Sequence, residues 1–221
     1  NIGEKMLQQP ITNGAAGHFT YEEAVLAGIY ENIQRDAFLI HWLNKIVPPR
    51  IQNESIVDNK LKKLINDFER YHFDIVFLNT TLDLRVPSCV CILIDKSLKG
   101  PRLSVGGGCG FDIENAMMRS LTEAAGVYHW LRKYDELVEL PLDYKAFQLQ
   151  GINQERRLRL WANEKYFHLI QPFLDGNLQT TTDIQHNNPT FDNVAEQFNY
   201  VKNIFPDAVL NMNPTVSGSE V

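Results

Sequence analysis

Two stretches of this chain combine residue types and spacings that could serve a ligand. In the first, Glu31, Gln34 and Arg35 are spaced so that on a helix a carboxylate, an amide and a guanidinium project together. One turn earlier, Ala27 and Gly28 carry almost no side chain. Glycine inside a helix costs about 1 kcal/mol relative to alanine, a cost that makes sense where another backbone or a ligand approaches closely. A plainer account is a Glu31–Arg35 surface pair on a helix packed tightly at Gly28, worth about 0.3–0.5 kcal/mol and needing no function. Both accounts fit the spacing.

The second stretch is Val105-Gly106-Gly107-Gly108-Cys109-Gly110, just before a helical pattern. A side-chain-poor turn ending at a helix N-terminus can aim backbone N–H groups at an anion. No Gly-Lys-Ser/Thr follows, so this is neither a P-loop nor a dinucleotide fingerprint. Asp112 suits the N-cap and would repel a phosphate unless a metal ion intervened. Asn115, Arg119 and Glu123 then recur as a polar line beside Ile113, Met117, Leu121 and Ala124. An amphipathic helix with a solvated face explains that line equally well.

Helices and strands must position these groups. The capping box Thr20-Tyr21-Glu22-Glu23 starts a helix running to about Asn44, with Val25, Ile29, Ile33, Ala37 and Ile40 facing the core. Pro48-Pro49 ends helical structure. An amphipathic helix is expected from about Ser55 to Tyr71, then strands over Phe73–Thr80 and Ser88–Asp95. The glycine turn precedes a helix from about Asp112 to Lys133, and further helices are expected over Gln154–Leu174 and Phe191–Ile204. Asp175 to Pro189, rich in Asn, Thr and Gln, reads as a mobile loop, and Pro214 to Val221 as a disordered tail. The mixture sets the class as α+β, with long helices packed on mixed sheets.

Composition narrows the function. The 221 residues, 44% hydrophobic and 22% charged, suit a soluble globular domain. A net charge of -6 argues against nucleic acid as partner, without excluding a local basic pocket for ATP. The apolar run Cys89–Ile94 is too short to cross a bilayer. Three cysteines, Cys89, Cys91 and Cys109, form no disulfide framework and fit a reducing, cytoplasmic setting. No finger-type ligand pairs follow them, and no His-x-x-x-His pair occurs, so zinc chemistry has no support. The opening Asn1-Ile2-Gly3-Glu4-Lys5 looks like an internal start.

Taken together, the stretches resemble the YcaO family. Thr12-Asn13-Gly14-Ala15-Ala16-Gly17, Thr20-Tyr21-Glu22-Glu23-Ala24 and Glu31-Asn32-Ile33-Gln34-Arg35-Asp36-Ala37-Phe38 are similar to its first signature. Gly108-Cys109-Gly110-Phe111-Asp112-Ile113-Glu114-Asn115-Ala116, with Arg119-Ser120-Leu121-Thr122-Glu123-Ala124, is similar to its second. Order and spacing match over about residues 10 to 130, and a C-terminal helical part is expected over about 150–210. The resemblance implies a single YcaO-like domain over 1–221 with an ATP-binding fold incomplete at both ends.

Such a resemblance implies ATP and Mg²⁺ as cofactors and a ribosomally made precursor peptide as substrate. A Cys, Ser or Thr side chain of the peptide attacks the preceding amide carbonyl, and ATP phosphorylates the resulting oxyanion. Phosphate then leaves to give the azoline that leads to a thiazole or oxazole. Relatives make thioamides or amidines instead. Partners would be a precursor-recognition protein or domain and a second copy of the chain, with no membrane and no nucleic acid.

Carried onto this chain, Glu31, Gln34 and Glu123 match the metal-binding positions, and Arg35, Arg119 and Glu114 join them at the nucleotide. Magnesium takes oxygen ligands and bridges phosphates, which arginine binds bidentately. Gln34 stands where the family usually has a second Glu, and Gly126 and Tyr128 where many members have Gln and Arg. Three readings follow: an ATP-dependent cyclodehydratase, a degenerate homologue serving as a binding or scaffolding subunit, or an unrelated interaction domain.

Overall fold

In the computed structural model the described residues are 13–134 and 154–205. Thr12 and the expected C-terminal tail lie outside them. The chain groups into two units, residues 1–32 with 191–221, and residues 33–190.

Helix α1 (Tyr21–Asn44) begins at the expected capping box, and its residues up to Asn32 belong to the first unit. Thr20 Oγ1 accepts the Glu23 N–H, and Glu23 accepts both the Thr20 N–H and its hydroxyl. Val25, Leu26, Ile29 and Tyr30 are buried. The Tyr30 hydroxyl donates to Gln197 on α7 (Val194–Ile204), a helix capped by Asn193. Upstream of α1, Gly14 sits at φ 76°, where its N–H reaches Glu31 and a side chain would strike Asn32.

The second unit is built on a five-stranded mixed sheet ordered β4-β3-β2-β1-β5. Its strands are β1 (Arg50–Ile51), β2 (Phe73–Asn79), β3 (Ser88–Asp95), β4 (Leu103–Cys109) and β5 (Leu178–Gln179). β2, β3 and β4 form an antiparallel meander, β1 joins β2 antiparallel, and β5 runs parallel to β1. Helices cover both faces, so β3 is buried at every position and reads as an uninterrupted apolar run. Phe77, Cys89, Cys91 and Leu93 pack under α2 (Asn59–Arg70) and α3 (Ile113–Leu131). Leu78, Val90, Ile92 and Leu103 face the other way, against Phe38 and Trp42 of α1 and Trp161 of α4 (Gln154–Trp161).

Four sequence expectations need correction. The glycine run is strand β4 and not a turn. Gly106 and Gly108 lie against the backbone of α3, at Ser120–Ala124 and Ala116, where any Cβ would collide with main-chain atoms. Close helix-on-strand approach therefore overrides the low strand preference of glycine. Asp175–Pro189 is ordered, holding β5 and α6 (Thr181–His186), which starts at a Thr180–Asp183 capping box. The helix expected over Gln154–Leu174 ends at Trp161, where Asn163 caps a 3-10 turn. Only the four-residue α5 (Phe167–Ile170) and a 3-10 turn with Pro172 at its start follow. Finally, α2 begins at Asn59 under the Asp58 cap, with Ser55 closing a separate 3-10 turn.

Candidate functional site

Three consequences of this packing converge on Gly107. Side chains alternate along β4, so Gly107 faces away from α3 and toward α1. The Gln34 side chain lies directly over it, and a Cβ at 107 would run into that amide. The Gly107 N–H donates to Glu123 of α3 at 2.9 Å. One residue without a side chain is thus reached by both Gln34 and Glu123, from two helices. Glu123 is exposed, and only its Oε2 carries that bond.

From this corner a cavity of about 410 Å³ runs along α1, lined by Gln34, Arg35, Gly107 and Glu123 as well as by aromatic residues. Gln34, Phe38 and Trp42 occupy successive turns on one face of α1 and span about 12 Å at the helical rise. Trp42 packs edge-on to Trp161 at 4.9 Å and stacks on Phe173 at 5.2 Å, while Phe38 stacks on Trp42 at 6.0 Å. Leu103 and Val105 of β4 floor the same cavity. His41 lies beside it, with its Nδ1 within 2.8 Å of the Ala37 carbonyl.

None of the remaining sequence candidates in the second unit lines the cavity. Glu31 belongs to the first unit, where its Oε2 accepts the Gly14 N–H at 3.1 Å. Glu114 is occupied structurally, taking the Val57 and Asp58 N–H groups at 2.7 and 2.6 Å just before α2. Arg119 is exposed one turn before Glu123 and does not line the cavity. Tyr128 donates to the buried Asp95 at 2.6 Å, and Gly126 has open space around it.

The phenol of Tyr128 is pushed up by burial and by Asp95. Burial also pushes the thiols of Cys89 and Cys109 up to about 12, and Cys91 well above its usual value. All three cysteines are therefore neutral fillers and not nucleophiles. The aromatic lining escaped the sequence reading, although the spacing Gln34, Phe38, Trp42 already placed it on the helix face that carries Gln34.

Among the described residues, no group of three or more His, Cys, Asp or Glu side chains is placed to hold a metal ion. Magnesium that bridges phosphates commonly takes only one or two protein carboxylates, with water and phosphate completing its shell. The Gln34–Glu123 corner, open to the cavity and with a free Glu123 oxygen, fits that arrangement. No helix among the described residues is long and apolar enough to cross a membrane.

Comparison with known proteins gives a family match. The model of the YcaO cyclodehydratase family, described as ATP- and Mg²⁺-binding, covers residues 3–213. An uncharacterized protein of Methanothermobacter thermautotrophicus is 28% identical over 115 residues, covering 52% of this chain and 30% of its own length. Among solved structures, a heterocyclase in complex with substrate and cofactor superposes with TM-score 0.68 at 22% identity, over 91% of this chain and 25% of that one. YcaO from Methanopyrus kandleri bound with AMPPCP and Mg²⁺ gives TM-score 0.66 at 18% identity, over 92% of this chain and 50% of the other. The chain thus spans half or less of each of these relatives.

Proposed function

Because this chain belongs to the YcaO family, we propose that it binds Mg-ATP at the Gln34–Gly107–Glu123 corner and activates a backbone amide of a ribosomally made peptide. The observation that carries this reading is that Gln34 and Glu123 both reach one glycine, on the wall of an open cavity. Glu123 offers a carboxylate oxygen and Gln34 an amide oxygen to the metal. The family resemblance names Glu31 as a further metal ligand by its place in the sequence alone. Arg35, which lines the cavity, would meet phosphate, with Arg119 in an outer role.

Bound Mg-ATP supplies the phosphoryl group that turns the amide oxygen into a departing phosphate. The chain's own residues hold the nucleotide, orient the amide and keep bulk water from the aromatic end of the cavity. The simplest product is an azoline, formed by a Cys, Ser or Thr of the precursor. The whole chain acts as one YcaO-like domain in the cytoplasm, with a precursor-recognition partner and a second copy of itself. The M. kandleri protein bound with AMPPCP and Mg²⁺, and the heterocyclase bound with substrate and cofactor, support this reading through a shared fold.

A second reading, a nucleotide-binding or scaffolding subunit without turnover, is favoured by Gln34, which removes one anionic ligand. Thermal unfolding of the full-length protein tests the first step. Mg-ATP at about a hundred times its Kd should stabilise the fold by about 2.7 kcal/mol, and Glu31→Ala or Glu123→Ala should abolish the shift. No shift at millimolar nucleotide would remove the nucleotide site. A normal shift without phosphate release from any precursor would favour the second reading.

A further inference from the structure

Beside the Gly107 corner, the sheet presents main-chain groups that the described residues leave unused. β4 is an outer strand of the sheet. Asp95 N–H bonds the Arg102 carbonyl and Gly110 N–H bonds the Pro87 carbonyl, so the even-numbered residues of β4 turn their polar groups toward β3. Those of Leu103, Val105, Gly107 and Cys109 therefore point outward. Glu123 takes the Gly107 N–H. The N–H and carbonyl of Val105, which is half-buried, have no partner among the described residues.

The same short stretch borders two different recognition elements. Toward one end lies Gly107, with Gln34 and Glu123. On the α1 face, Val105 and Leu103 floor the cavity whose walls are Phe38, Trp42, Trp161 and Phe173. An unpaired strand edge is a template for another extended segment. Pairing of this kind reads the backbone of a peptide irrespective of sequence, while every second side chain enters one face and can be selected there.

We propose that an extended segment of the substrate peptide adds to the outer edge of β4 at Val105 and seats an apolar or aromatic side chain in the Phe38–Trp42–Trp161–Phe173 chamber. This rests on the Mg-ATP reading of the Gly107 corner. Val105 and Gly107 are two residues apart, one strand repeat of about 6.6 Å. A peptide residue paired at Val105 therefore lies two positions from the one presented at the corner. The substrate class that follows is a peptide with an apolar or aromatic residue two positions from the residue that is modified. A purine ring is the competing occupant of the chamber, because flat aromatic walls stack on either.

The test uses the full-length protein with Mg²⁺ and a non-hydrolysable ATP analogue. The probes are acetyl-Gly-Phe-Gly-Cys-Gly-amide and its counterpart with Asp for Phe, and binding is read by tryptophan fluorescence and calorimetry. The Phe peptide should bind about tenfold more tightly, as burial of one aromatic side chain requires. Trp42→Ala should remove that preference. Val105→Pro, which deletes an outward N–H that the ladder does not use, should weaken both peptides. Methylating the peptide's backbone nitrogens one at a time should weaken binding at alternate positions only, a readout that leaves the protein untouched.

A methylation scan without that alternation, displacement of the Phe peptide by adenosine, or no peptide binding at millimolar concentration would each overturn the proposal. In any of those cases a persisting Mg-ATP thermal shift would leave the nucleotide site standing. Loss of that shift would instead strike the reading beneath it.

Discussion

Gln34 and Glu123, 89 positions apart in the chain (123 minus 34), reach the same backbone residue from opposite helices. One lies over Gly107 and the other accepts its N–H at 2.9 Å. This relation gives the glycine run two separable tasks. Gly106 and Gly108 let α3 approach the sheet, while Gly107 makes room for the side chains of the candidate site.

Alanine substitutions should separate those tasks. At Gly106 the added methyl group meets α3 main chain, which cannot swing aside, and the cost should be at least about 1–3 kcal/mol, the usual penalty of overpacking. At Gly107 it meets the flexible end of Gln34, so stability should fall less while Mg-ATP affinity drops. Denaturant unfolding with and without Mg-ATP checks both. Equal destabilisation by Gly106→Ala and Gly107→Ala would contradict the division.

Glu114 should behave as a structural residue. It takes two backbone N–H groups ahead of α2, so Glu114→Ala should cost about 1–2 kcal/mol, comparable to losing a helix cap. The Mg-ATP thermal shift should keep its size. A lost shift with unchanged stability would return Glu114 to the nucleotide.

The far end of the sheet predicts a pH dependence. Burial alone would raise the Asp95 carboxyl, but hydrogen bonds from Ser97 and Tyr128 and the Arg102 charge outweigh it and hold the group below its usual range. A depressed folded-state value contributes stability that is present above the unfolded value of about 3.9 and is lost as pH falls through the folded one. Melting temperatures from pH 7 downward should fall more steeply below about pH 4 in the native protein than in Asp95→Asn, whose neutral side chain has no such loss. Parallel acid limbs would show that Asp95 does not contribute.

Much of this architecture was legible in residue pattern. The capping box at Thr20, the β2 and β3 strands and the Asp112 cap appear where periodicity and local hydrogen bonding place them. These features depend on neighbours in sequence. What escaped depends on distant partners. Gly106-Gly107-Gly108 forms a strand only because α3 and Gln34 lie on its two sides, and the two-residue strands β1 and β5 exist only through pairing with each other and with β2. The family resemblance nominated Gln34 and Glu123, and both line one cavity in the structure. It could not reveal that Glu114 is held by the Val57–Asp58 backbone, because that bond joins segments far apart in the chain.

The claim that Gln34 and Glu123 share the metal of a bound nucleotide is tested most directly by titrating Mg²⁺ while following ATP binding calorimetrically. Restoring a charge with Gln34→Glu should lower the Mg²⁺ concentration for half-maximal binding, and removing one with Glu123→Gln should raise it, each by about tenfold for a change of about 1.4 kcal/mol. An identical Mg²⁺ requirement in the native protein and both variants would contradict the account, since neither side chain would then touch the ion.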